Sequence, residues 1–297
     1  MRMITEIAIV RDVDWLLDPF AADAMQRALL AGMLAVVASS VVGTWVVVRG
    51  LSLLGDALAH GVIPGVALAV IWGFDLTLGA LASAAVMIGG IWLVNRRTQL
   101  GDDTGVGLLF VGMLALGLVI ISTSSSFTAD VEELLVGDVL AVSWGDIAFQ
   151  AGAVAVVLVV TVLGYRGFVA LSFNEAKAAT LGLRPAVAHL VLLGLIALAV
   201  VASFKTVGTL LVSGLLIGPP ATALLVVRRV WMTMLVAVLA GWVAVVVGLV
   251  VSYHAETAAG ATVAGTSVSL FFLVLLGQEV AALSGSRCRP GSRPATS

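Results

Sequence analysis

Nine stretches of about twenty apolar residues follow one another along the chain, each long enough to cross the hydrocarbon of a bilayer as an α-helix. They run near 26–48, 53–73, 76–96, 104–123, 147–165, 186–203, 207–227, 230–253 and 260–283. No other feature constrains the fold as much. Lipid offers backbone N–H and C=O groups no partner, so such a segment must satisfy its own hydrogen bonds as a helix. The second stretch carries Asp56 and His60 in its first half, and the count falls to eight if that stretch is re-entrant. The expected fold is therefore an all-α polytopic membrane protein, with one domain over 26–283. Residues 1–25 read as an outer-face amphipathic segment and 284–297 as a disordered cytoplasmic tail.

Composition agrees and excludes the alternatives. Hydrophobic residues make up 61% and charged residues 11%, against about 45–50% and about 25% in soluble domains. That balance excludes a soluble enzyme, a disordered protein and a nucleic-acid binder. The net charge of −2 leaves no basic surface for nucleic acid. The single cysteine, Cys288, excludes a disulfide framework and a thiolate metal cluster. Residues 1–25 are too charged, and too poor in apolar runs, for a signal peptide. No GxxxxGK[ST], HExxH or GxSxG occurs. The chain then has no catalytic residues, no bound cofactor and no nucleotide site of its own, and any ATP is hydrolysed elsewhere.

Lysine and arginine set the orientation, because they concentrate on the cytoplasmic side. Arg49, Arg96, Arg97, Arg166, Lys177, Arg184, Arg228, Arg229, Arg287, Arg289 and Arg293 fall on one side. Arg2, Arg11, Arg27 and Lys205 fall on the other. Nine spans then place the N-terminus outside and the C-terminus in the cytoplasm. The outer loop 124–146 is acidic, with Asp130, Glu132, Glu133, Asp138 and Asp146. Trp45, Trp72, Trp92 and Trp231 lie near span ends, where an aromatic belt would sit.

Three polar or broken segments interrupt the apolar pattern. In the first, Asp56 and His60 are four residues apart, which puts them on one helix face. Ionisable groups inside spans are costly and usually functional. A carboxylate with a neutral imidazole suits Zn²⁺, Mn²⁺ or Fe²⁺, although a hydrogen-bonded pair that only locks helix packing has the same pattern. Two ligands do not close a site, and a two-fold dimer with this face on its axis would double them. Ala57, Gly61 and Gly65 form a small-residue stripe beside the pair. The second segment, 166–185, is cytoplasmic by the charge rule. Asn174 can cap a short helix there, with Glu175 in its first turn and Gly182 closing it. The third is Gly208–Thr222, where Gly214 and Gly218 form a packing seam and Pro219–Pro220 are expected to break the helix.

At these segments the chain resembles the permease subunits of bacterial ABC importers for zinc, manganese and iron. Residues 49–65 (RGLSLLGDALAHGVIPG) resemble the family's GDA[LI]SHA-type run with its following proline–glycine pair. Further matches are 103–107 (DTGVG), 135–138 (LVGD), 172–178 (SFNEAKA) and 206–222 (TVGTLLVSGLLIGPPAT), in the family's order from about Pro19 to Leu283. The resemblance implies a type II ABC importer permease fold and a homodimer. It also implies a cytoplasmic ABC ATPase dimer and an extracytoplasmic metal-binding protein as partners, in a bacterial cytoplasmic membrane. It assigns metal passage to Asp56 and His60, although Ala59 and Gly61 replace the family's usual Ser and Ala. The 166–185 loop resembles the ATPase coupling helix, with Asn174, Glu175, Lys177 and Gly182 as its candidate residues. The segment 130–146 resembles the element that helps close the external gate.

Zinc is the first expectation for the cargo, because histidine is a common zinc ligand, with manganese or iron as alternatives. His189 and His254 are weaker candidates for secondary metal stations, since interfacial histidines are more often simply hydrogen-bonded. A stand-alone ion-coupled carrier using Asp56 and His60 as a proton relay is the reading from another class.

Overall fold

The computed structural model describes residues 22–98, 102–123, 142–173 and 185–286. Among the described residues the chain is helical throughout: α1 Asp23–Val48, α2 Ser52–Gly61, α3 Ile63–Trp72, α4 Leu76–Arg97, α5 Asp102–Ile121, α6 Trp144–Phe173, α7 Pro185–Val226, α8 Val230–Ala255 and α9 Ala259–Ser286. Nine stretches among them are long and apolar enough to cross a membrane. The second is α2 and α3 together, and α7 contributes two, Ala186–Phe204 and Thr206–Val226. The expected helices are all found. α1 begins at Asp23, inside the segment assigned to the N-terminal flank, and α6 extends past the expected edge at 165.

Burial grades across the helices. In both α1 and the α2–α3 span, 72% of the apolar window is buried, against 17% in α9 and 22% in α5. The first pair therefore forms the protein interior, and the outer helices carry the lipid-compatible surface. α7 packs most extensively on α1, then on α9. Small residues make this possible: Ala28, Ala31, Gly32, Ala35, Ala38 and Gly43 of α1 are all buried, and such residues let backbones approach closely where lipid provides no hydrophobic drive.

The break in α7 differs from the expectation. Its non-helical residue is Gly208, at φ 74° and ψ 167°, a conformation open essentially to glycine alone. Pro219 and Pro220 stay within continuous helix. A proline removes the bond to the carbonyl four residues earlier, so Pro220 frees the carbonyl of Leu216. That carbonyl oxygen occupies the space a side chain at Gly43 would fill. Pro220 lies against the same glycine, and Pro219 faces Gly241 of α8. The kink-prone pair is thus held straight by glycine notches on two neighbours. Gly214 and Gly218 seat against Ala264 and Ser267 of α9, so the expected small-residue seam is the contact with the last span.

Trp45 also differs. It is fully buried, with its ring 5.6 Å from those of Tyr165 and Phe168 of α6. It is a core side chain rather than part of an aromatic belt. Trp72, Trp92 and Trp231 remain substantially exposed, and Arg96 lies over the Trp92 ring at 5.1 Å.

Gly43→Ala should destabilise the protein by about 1–3 kcal/mol, because the new methyl meets the Leu216 carbonyl across two rigid helices. Thermal unfolding of the detergent-purified protein would show a lowered midpoint. Gly89→Ala, with open space around it, should leave the midpoint unchanged or raise it.

Candidate metal site

The site begins with the break between α2 and α3. Pro64 stands in the first turn of α3 and has no N–H to give the His60 carbonyl. The Val62 N–H takes that carbonyl instead, which tightens the turn and ends α2 at Gly61. The buried carbonyl of Gly61 receives the Ser83 hydroxyl of α4 at 2.7 Å. Gly61 sits against Met87, and Gly65 and Gly79 bring α3 and α4 into backbone contact. The small-residue stripe therefore docks the broken span onto α4, and α2 packs on α5 and α7.

This leaves Asp56 and His60 one turn apart on α2. His60 Nδ1 lies 3.5 Å from Asp56 Oδ1 and 3.1 Å from the Asp56 carbonyl oxygen. With Nδ1 donating to these oxygens, the Nε2 lone pair is the one free to accept a metal, the usual way a neighbouring oxygen fixes a ligating imidazole. The His60 ring meets Phe110 of α5 edge-on at 5.7 Å between centroids. The His60 side chain is 15% exposed and that of Asp56 37%. The imidazole is thus held among neighbours while the carboxylate opens outward from the single chain. Among the described residues, no third His, Cys, Asp or Glu joins them.

The other candidates lie apart. His189, at the start of the sixth span, receives an Arg49 guanidinium N–H at Nδ1 over 3.0 Å. A fixed cation beside the ring opposes a second cation there. The Nδ1 of His254 pairs with the Val250 carbonyl oxygen at 2.9 Å, and its ring lies edge-on to Tyr253. The coupling residues Asn174, Glu175, Lys177 and Gly182 lie outside the described residues, as do most of the outer gate segment 130–146 and most of the two terminal segments.

Sequence reasoning missed two neighbours of the pair. Phe110 packs the imidazole, and the Ser213 hydroxyl of α7 sits beside the Asp56 carboxylate. Neither shows a signal in helical periodicity, because each reaches the site across a tertiary contact. Only the glycines around Ser213 mark that stretch as a place of close approach.

The ABC 3 transport family matches residues 21–278. The chain is 33% identical over 252 residues to the manganese transport system membrane protein MntC of Listeria monocytogenes, covering 85% of this chain and 90% of that protein. It is 32% identical over 259 residues to the chelated iron transport system membrane protein YfeD of Yersinia pestis, covering 87% and 86%. The solved structure of PsaBC from Streptococcus pneumoniae in complex with Fab matches with a TM-score of 0.79 at 30% identity, over 88% of this chain and 95% of that one.

Ser83→Ala would leave the buried Gly61 carbonyl without its donor. We expect a loss of about 1–3 kcal/mol in stability, read as a lowered unfolding midpoint.

Proposed function

The chain belongs to the ABC 3 transport family, and from that premise we propose that it is the membrane permease of an ATP-driven importer of divalent transition-metal ions. The observation that carries this is the Asp56–His60 pair, held one turn apart inside a span with the imidazole Nε2 left open. Ionisable pairs inside membrane spans mark ion pathways, and a carboxylate with an imidazole is a borderline-metal donor set. A conducting site must also release its ion, which suits an incomplete pair without thiolates.

Manganese or iron takes precedence over the zinc first expected from histidine. Relatives carry manganese and chelated iron in their names. The chemistry leans the same way, because one imidazole among oxygen donors favours harder cations than a histidine- or thiolate-rich site would. The chain has no Walker A motif, so ATP is hydrolysed by an ABC ATPase partner docking on the cytoplasmic 166–185 segment. A second copy of the permease and an extracytoplasmic metal-binding protein complete the transporter. The lysine and arginine asymmetry supports an N-terminus outside and a C-terminus in the cytoplasm of a bacterial inner membrane.

Asp56→Asn and His60→Ala should each lower metal uptake by at least about tenfold while leaving assembly with the ATPase intact. Uptake of radiolabelled manganese by cells dependent on this permease measures it, and wild-type rates in both variants would refute the role. Unlabelled manganese should compete with the label more strongly than zinc does. Uptake that persists without ATP or an ATPase would point instead to a stand-alone carrier.

A further inference from the structure

The seventh span reaches the Asp56–His60 pair through a specific fit. Leu216 places its Cδ2 where a side chain at Gly55 would stand. Ser213 is one turn earlier on the same helix, so it shares the face that α7 turns towards α2. That register sets the Ser213 hydroxyl beside the Asp56 carboxylate. The contact falls short of a closed hydrogen bond: Ser213 Oγ is buried and makes none.

A buried hydroxyl without a partner is unusual and unfavourable. Helical serine and threonine normally return the hydroxyl to a carbonyl on the preceding turn. Thr44, Ser172, Thr222 and Thr233 of this chain do so. Ser213 does not, and among the buried unpaired hydroxyls it is the one beside the Asp56 carboxylate.

We propose that Ser213 Oγ is a third polar group of the transport site, an oxygen donor that contacts the passing divalent cation together with Asp56 and the Nε2 of His60. This rests on the reading of Asp56 and His60 as the transport pair, and it gives that pair a selectivity element. A neutral hydroxyl adds an oxygen contact without adding charge. It favours oxygen-preferring Mn²⁺ and Fe²⁺ over the softer Zn²⁺, and it does not trap the ion as a second carboxylate would.

The test uses the complete transporter, permease with its ATPase, and follows uptake of manganese and zinc ions. Ser213→Ala should raise the KM for manganese about fivefold with the maximal rate nearly unchanged, the pattern of a lost binding contact. Ser213→Thr, which keeps the hydroxyl, should restore the KM. Ser213→Cys should move the preference towards zinc by about tenfold, because a sulfur donor is softer. A packing role predicts none of that selectivity shift. An unchanged manganese KM in Ser213→Ala would overturn the proposal, as would equal losses in the alanine and threonine variants. His60→Ala run in parallel separates the two readings. If it abolishes uptake while Ser213→Ala is silent, only the Ser213 role fails. If it transports normally, the transport pair itself is misassigned.

Discussion

Everything in this architecture answers to one constraint: a backbone polar group inside the hydrocarbon must find a partner within the protein. Regular helix meets it without help. The informative places are those where a proline removes a helical N–H, because each strands a carbonyl that a neighbour must accommodate. At Pro64 the Val62 N–H and the Ser83 hydroxyl take the freed and adjacent carbonyls. At Pro220 the Leu216 carbonyl turns into the glycine notch of α1. The first site ends the α2 helix that holds Asp56 and His60, and at the second Leu216 seats its side chain at Gly55 of that same helix. The same requirement that shapes the fold thus determines where a polar pair can be carried at membrane depth.

How far this was legible in the sequence depends on whether the signal was local. Span positions follow from run length and hydropathy, which belong to single segments, and the helices lie where those runs are. Asp56 and His60 were legible for a similar reason, since their spacing of four fixes a shared face before any tertiary contact forms. The prolines of α7 misled because their local tendency to break a helix was opposed by partners distant in sequence, Gly43 and Gly241. Gly208, which does break it, looks like any other glycine in an apolar run. Trp45 carried a belt-like position but a core environment supplied by α6. The nearness of Ser213 to Asp56 was not legible, because it depends on the tertiary fit of Leu216 at Gly55.

The packing also explains why the chain is so rich in alanine and glycine. With lipid on the outside, burying another leucine gains little over leaving it in hydrocarbon, so close contact between helices provides the stability. Gly65 against Gly79, Gly214 against Ala264 and Gly218 against Ser267 are all contacts of this kind. They join α3 to α4 and α7 to α9, and they leave no room for a larger side chain without displacing a helix.

Leu216 takes part in this twice. Its carbonyl oxygen sits in the notch at Gly43 of α1, and its side chain sits in the notch at Gly55 of α2. One residue of α7 is therefore keyed into two different helices, from its backbone on one side and its side chain on the other. Such a key acts like a pawl: the seventh span cannot turn about its own axis without withdrawing from both seats at once. The first span, the second-span segment bearing Asp56 and His60, and the seventh span are thus joined through this one residue.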